Sequence, residues 1–186
     1  MTERSTTERA SSATAASDAP TVGAAARHPL AHLLDDPRLT AMGLCHETHS
    51  GLIAAVEPGL AEHGFTSSSF EVLIRLARSV GHRLQMTELA RQSTLSNSGL
   101  TRVVDRLEDG GLARRVQDGA DKRIWYTELT PRGLDALLSS LPDHIETVDA
   151  VLTSVLDASE LEAFTAALRK IRAVVKPGAD PELNQA

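Results

Sequence analysis

Apolar residues recur at helical spacing in several stretches, separated by glycine, proline and short polar signals. Leu39, Met42, His46, His49, Ile53, Val56 and Leu60 fall near that spacing and predict a helix from about Pro37 to His63. Pro58 is expected to kink it or end it early, and Gly64 to close it. Phe70, Leu73, Ile74 and Ala77 form the stripe of a second helix, with Ser68 and Glu71 at capping-box spacing and Gly81 as its stop. Arg83–Met86 reads as a short extended piece, and Thr87 as the cap of a short helix, Glu88–Gln92. After a turn at Ser93–Ser96, Ser96 caps a helix from Asn97 to Asp109 that ends at Gly110-Gly111. Leu112–Gln117 and Ile124–Leu129 read as two strands around a turn begun by Asp118-Gly119.

Thr130-Pro131, a cap followed by proline at the first helical position, restarts a helix with Leu134, Leu137, Leu138 and Leu141 on its apolar face. Pro142 is expected to kink or restart it, and Ile145, Val148, Leu152 and Val155 continue the stripe. Ser159 and Glu162 have capping-box spacing before a last helix carrying Leu161, Phe164, Leu168, Ile171 and Val175, which Pro177-Gly178 ends. Two short helices joined by a tight turn and followed by a hairpin define the expected fold. It is mainly α, a winged helix-turn-helix with a small β-hairpin wing. Residues 1–27 are rich in Ala, Ser and Thr without a sustained period and read as a disordered tail carrying Arg4, Arg9 and Arg27.

Composition narrows the function. The 186 residues fit one domain plus a tail, and 41% hydrophobic residues suffice for a core. Aromatics are 3% (Phe65, Phe70, Phe164, Trp125 and Tyr126), too few for the stacking platforms of a single-strand nucleic-acid binder. Cys45 is the only cysteine, so the chain holds no intramolecular disulfide and no cysteine zinc motif. No apolar run reaches the roughly 20 residues of a membrane span, and the polar N-terminus lacks a secretory apolar region, so a cytoplasmic protein is expected. The formal charge of −6 is unevenly spread. Arg75 to Arg132 holds eleven basic and seven acidic residues, a net +4, against eight basic and eighteen acidic elsewhere. A basic centre between acidic flanks can touch phosphate while the flanks stay clear.

The helix from Asn97 carries the most specific chemistry. Leu100, Val103, Val104 and Leu107 share an arc about 100° wide. The opposite arc presents Ser98, Thr101, Arg102, Asp105 and Arg106, short-polar at the N-terminal end and basic in the middle. Such a helix can bring its N-terminus to phosphate and longer side chains to base edges, with Arg102 able to grip guanine O6 and N7. The hairpin tip, Asp118-Gly119-Ala120-Asp121-Lys122-Arg123, can reach the adjacent minor groove, with Asp121 orienting the guanidinium of Arg123.

Glu88-Leu89-Ala90-Arg91, the run Leu95 to Glu108, Gly111-Leu112-Ala113-Arg114-Arg115, Asp121-Lys122-Arg123 and Leu129-Thr130-Pro131-Arg132-Gly133 together resemble the MarR (multiple antibiotic resistance regulator) family. The likeness covers roughly 38–175 and is strongest over 84–134. The Leu-Thr-x-x-Gly run after an Asp-x-Arg wing is its most specific part. The resemblance implies a symmetric homodimer whose first and last helices interlock, binding palindromic double-stranded DNA operators, usually as a repressor. It divides the chain into a tail (1–27), a dimerisation region (28–65), a DNA-binding region (66–133), C-terminal dimerisation helices (134–176) and a tail (177–186). The expected DNA-binding residues are Ser96, Asn97, Ser98, Thr101, Arg102, Arg106, Asp121, Lys122 and Arg123.

The family also implies release of DNA by a small phenolic or carboxylate effector, an oxidant or a metal. For a carboxylate or phenolate the candidate residues are His46, His49 and Arg75. His46 and His49, three apart with Glu47 nearby and His28 and His32 upstream, also have spacing open to a metal, although a lone pair is a weak signal. Cys45 could be an oxidation switch, but the first helix holds no tyrosine to pair with it, and a small packing residue fits as well. No metal site and no cofactor is assigned. No glycine-rich phosphate loop, His-Glu-x-x-His or Gly-x-Ser-x-Gly motif occurs, so no enzyme is expected. The alternatives are a winged-helix protein–protein module without DNA binding and a redox- or metal-responsive regulator.

Overall fold

The structure, a computed structural model, describes residues 28–119, 121–177 and 179. The N-terminal tail 1–27, Ala120 of the wing tip and, of the C-terminal tail, all but Pro177 and Ala179 lie outside the described residues. The chain divides into two compact units, 1–45 and 46–186. In the first, a 3-10 turn (Ala31–Asp35) precedes the start of α1 (Pro37–Glu62). The Asp36 carboxylate accepts from the Arg38 amide at 2.8 Å and from its guanidinium at 2.9 and 2.6 Å, which holds the Asp36 pKa below its usual value.

In the second unit α1 runs on to Glu62, straight through Pro58. Pro58 therefore does not end the helix early, the second of the two expectations for it. Pro58 and Ala54, the residue whose carbonyl loses its partner, are both exposed, so solvent can meet the freed acceptor. Gly64, at φ 76°, then closes the helix, with the Phe65 amide returning to the Leu60 carbonyl at 2.9 Å. Helix α2 (Ser67–Arg78) is capped by Thr66 with Ser69, not by Ser68 with Glu71. Thr66 is the extended residue a cap must be, and Glu71 is engaged elsewhere.

Strand β1 (Arg83–Gln85) feeds directly into α3 (Met86–Gln92), whose N-cap, Gln85, makes no side-chain cap bond; Thr87 lies inside the first turn. Helix α4 (Asn97–Asp109) follows, with Ser96 as its cap. Strands β2 (Ala113–Gln117) and β3 (Trp125–Leu129) form the hairpin. The sheet order is β1-β3-β2, all antiparallel, with Arg83 opposite Glu128 and Arg115 opposite Thr127. The extended piece foreseen at 83–86 thus has a partner that local sequence did not reveal.

Helix α5 (Pro131–Val148) continues through Pro142 for the reason that holds at Pro58: Pro142 and Leu138 are exposed. A π-helical turn (Asp149–Thr153) follows it. The cap of α6 (Ala158–Val175) is Asp157 with Glu160, not Ser159 with Glu162. Asp157 is extended, and its carboxylate accepts from the amides of Ser159 and Glu160 at 2.8 and 2.9 Å.

The core gathers Val72, Leu73 and Leu76 of α2, Leu89 of α3, Leu100 and Val104 of α4 and Leu137 of α5, all essentially inaccessible. Burying such a side chain stabilises by about 1.5–3 kcal/mol. The Leu-Thr-x-x-Gly run is the joint between sheet and α5. Leu129 is buried, and the Thr130 hydroxyl donates to the carbonyls of Gly111 and Leu112 while accepting from the Gly133 amide. Gly133 lies so close to Leu112 that a Cβ there would stand 2.0 Å from the Leu112 carbonyl oxygen. No helix among the described residues is long and apolar enough to cross a membrane.

Candidate nucleic-acid interface

Helix α4 is fixed by its buried face and leaves the opposite one to solvent. Leu100, Val103, Val104 and Leu107 are at most 3% accessible, whereas Asn97, Ser98, Thr101, Arg102, Asp105 and Arg106 are exposed. At its N-terminus the Ser96 hydroxyl accepts from the Gly99 amide at 3.2 Å. The amides of Asn97 and Ser98 have no acceptor among the described residues, so the helix end presents free donors of the kind an anion seeks. The Thr101 hydroxyl donates to the Asn97 carbonyl at 3.0 Å, leaving its lone pairs and methyl outward-facing chemistry for a partner. Arg102 and Arg106 have no hydrogen-bond or ion-pair partner among the described residues. Most other cations of this region are committed: Arg91 to Glu88, Arg114 to Glu128, and Arg115 to Asp105 and Glu108.

The turn before α4 is braced from α2. Glu71 accepts from the Thr94 amide at 2.8 Å and hydroxyl at 2.6 Å, and from Arg75 at 2.9 and 3.1 Å. This is the work of the glutamate expected to cap α2, and sequence alone gave no sign of it because its partner lies 23 positions away.

The wing tip is equally ordered by its own polar groups. Asp118 accepts from the Asp121 amide at 2.9 Å, and the Gln117 side chain donates to the Lys122 carbonyl at 2.7 Å. Asp121 accepts from the Arg123 amide at 2.9 Å and from its guanidinium at 3.1 and 3.0 Å. The Arg123 side chain, 90% accessible, is thus aimed without being buried. That pairing, side chain first and backbone second, lowers the Asp121 pKa and raises that of Arg123. Lys122 is exposed and unpaired among the described residues. The structure therefore brings the nine expected DNA-facing residues to two adjoining elements, α4 with its cap and the hairpin tip. Trp125, 46% accessible on β3, is an exposed aromatic at the base of the tip that sequence reading treated only as a strand residue.

His46 and His49 are exposed on α1, and Arg75 is bonded to Glu71. Cys45 is exposed. No group of three or more potential metal ligands forms among the described residues. Instead a cavity of about 480 Å³ opens between α2 and α5, lined by Phe70, Ile74, Arg78, Leu134, Leu141 and His144 among others. The His144 ring lies against Phe70 at a tilt of 47° with centroids 4.4 Å apart, and its buried Nδ1 has no partner among the described residues. Burial lowers the His144 pKa. Its only sequence signal was a polar residue beside the apolar stripe of α5.

Known proteins agree with this geometry. Residues 65–125 match the family model of the MarR family. The chain is 32% identical over 102 residues to the HTH-type transcriptional repressor YetL of Bacillus subtilis, a match covering 55% of this chain and 61% of that protein. It is 30% identical over 110 residues to the HTH-type transcriptional regulator MhqR of the same organism, covering 59% of this chain and 74% of MhqR. Among solved structures it is similar to AbsC, a MarR family transcriptional regulator from Streptomyces coelicolor (TM-score 0.70, 27% identity, 76% of this chain and 96% of AbsC). It is also similar to Sco3205 from the same organism, a MarR family regulator solved in complex with DNA (TM-score 0.70, 25% identity, 80% and 93% covered). Helix, turn, exposed cationic helix and braced wing, in that order and on that scaffold, place the chain in the MarR family of winged helix-turn-helix, DNA-binding transcriptional regulators.

Proposed function

We propose that two copies associate into a homodimer that represses transcription by occupying a palindromic operator, with the cavity between α2 and α5 as the seat of a small phenolic or carboxylate effector. The carrying observation is the pair of unpaired guanidiniums, Arg102 and Arg106, on the solvent face of α4 beside the braced Arg123. In the dimer each α4 enters a major groove, with the two half-sites about one helical turn apart, and Arg123 enters the flanking minor groove. Ser96, Asn97, Ser98 and Lys122 approach the phosphates, and Thr101 and Arg102 read base edges. Residues 66–133 are the reading head, and 28–65 and 134–176 the dimerisation regions.

Association is supported by the apolar faces that the chain leaves uncovered. Helix α6 has no buried residue, and Leu168, Ile171, Val174 and Val175 are 46–80% accessible. Leu138 and Ile145 of α5 are likewise exposed. Patches of this kind mark interaction surfaces. In the cavity, apolar walls suit a ring, while the unpartnered His144 Nδ1 and the Arg78 guanidinium suit a phenol or carboxylate. His46, His49 and Arg75 remain the effector residues only for a ligand bound outside that cavity.

The test is binding of the full chain to duplexes from its own upstream DNA, at several salt concentrations, with light scattering for mass. A dimer whose affinity falls steeply with salt is expected, because several phosphate contacts release counterions. A monomer, or affinity indifferent to salt, overturns the reading. Addition of salicylate-like phenolic acids should release the duplex from the native chain and fail to do so from His144→Leu.

A further inference from the structure

Of the three acidic residues of α4, Asp105, Glu108 and Asp109, the first two carry the argument. On a helix that meets phosphate, as proposed above, a carboxylate works against DNA affinity by like-charge repulsion. Both are consumed by one residue of the wing. Arg115 of β2 donates Nη1 to Glu108 Oε2 at 2.6 Å and Nη2 to Asp105 Oδ1 at 2.5 Å, and its backbone amide donates to Glu108 Oε1 at 2.9 Å. The carboxylates hold the Arg115 pKa above its ordinary value, Asp105 chiefly and Glu108 in support.

The geometry is that of a clamp. Strand β2 is an edge of the sheet, paired on one side only with β3. Its outward amide at Arg115 would otherwise be an open edge donor. Glu108 takes that amide and the side chain of the same residue, so it grips the strand at two points. Asp105, one turn earlier on α4, fixes the far end of the guanidinium. Three bonds from two successive turns of one helix to one residue of a strand leave little freedom for the wing to roll about α4. Arg115 is 27% accessible at its side chain, and both of its terminal nitrogens are turned to carboxylates, so it is poorly placed to contact DNA itself.

We infer that Arg115 is a positioning residue that holds the wing in register with α4, so that Arg123 meets the minor groove when Arg102 and Arg106 meet the major groove. Asp105 and Glu108 are the anchors of that clamp, not DNA contacts. The inference rests on the two-groove reading proposed above and makes its own claim about coupling. A residue that acts through the wing should lose its effect once the wing has nothing to place.

The experiment is a double-mutant cycle on the full chain, Arg115→Met with Arg123→Ala, using the tightest duplex selected by the native chain from a random-sequence library. Either single variant is expected to weaken binding by about tenfold, the size of one good contact. In the Arg115→Met background Arg123→Ala should cost less than about threefold further. Arg115→Lys, which keeps the charge but cannot span both carboxylates, should behave as Arg115→Met. Losses that multiply across the cycle, or full recovery by Arg115→Lys, overturn the inference. Loss in Arg115→Met with no loss in Arg123→Ala speaks against the wing reading itself and so separates the two failures. If Arg115→Met unfolds, Glu108→Gln is read in its place, in the same cycle and against the same two results.

Discussion

Replacing Gly133 by alanine should destabilise the protein, although alanine is the better helix former. The new Cβ would stand 2.0 Å from the Leu112 carbonyl oxygen, 2.8 Å from its carbon and 2.9 Å from Leu129 Cδ1, where ordinary contact starts at 3.4 Å. The carbonyl must therefore retreat by about 1.4 Å, and it is backbone, not a flexible side-chain end. It is also the acceptor for the Thr130 amide at 3.1 Å and the Thr130 hydroxyl at 3.1 Å, so the retreat strains both bonds. Overpacking costs about 1–3 kcal/mol and each lost bond about 0.5–1.5 kcal/mol, against a helix-propensity gain near 1 kcal/mol. The net loss is about 3 kcal/mol, which for a chain of this length lowers Tm by roughly 6–12 °C. Thermal denaturation followed by circular dichroism, at fixed protein concentration, measures it. An unchanged or raised Tm would falsify the close approach at this joint.

Arg102→Ala should cost about 1–3 kcal/mol on the preferred duplex and less on random duplex, measured by anisotropy; equal losses make it a phosphate contact instead. Removing the charge of Lys122 should reduce the slope of affinity against salt by about one ion while leaving sequence preference intact, and an unaltered slope excludes phosphate contact. Thr66→Ala should lower stability by about 1 kcal/mol in urea denaturation, through loss of the α2 cap, whereas Ser68→Ala should not. His144, held neutral by burial, has a folded pKa below its ordinary 6.5, so its stabilisation is complete above that pH and is lost as pH falls through the lowered value. His144→Phe should flatten that acid limb, and parallel stability curves from about pH 5 to 7 would refute the assignment.

The elements and the exposed cationic face of α4 were legible because they depend on short-range pattern. The apolar arc of α4 requires only that residues three and four apart share a face, and Ser96 announces its own cap. The Asp121–Arg123 brace spans two positions and could be read directly. Long-range partners could not. Glu71 looked like a local cap and is the strut of a turn 23 residues on, and Arg115 looked like one more basic residue of a cationic centre. At the two prolines only the ending of a helix was overturned, because a rule about the lost amide says nothing of whether solvent reaches the freed carbonyl. Leu138 of α5 and Leu168, Ile171 and Val175 of α6 were read as parts of apolar faces and are exposed, since the pattern marks an apolar face without saying which molecule covers it. The effector residues were chosen for their chemistry, and the cavity between α2 and α5 with the unpartnered Nδ1 of His144 was not legible because it depends on how two helices pack.

The eighteen residues of α6 include none that is fully buried, and only Leu161, Phe164 and Thr165 are partly covered, so its own chain holds it weakly. On the reading given above, α6 completes its folding only when a second subunit arrives, so ordering of this segment is second order in protein. Melting should therefore shift upward with concentration, and dilution should loosen the C-terminal end first. In a cell that makes few copies, supply of the polypeptide itself then acts as a threshold on gene control, and a defective copy able to pair would spoil the sound one it captures.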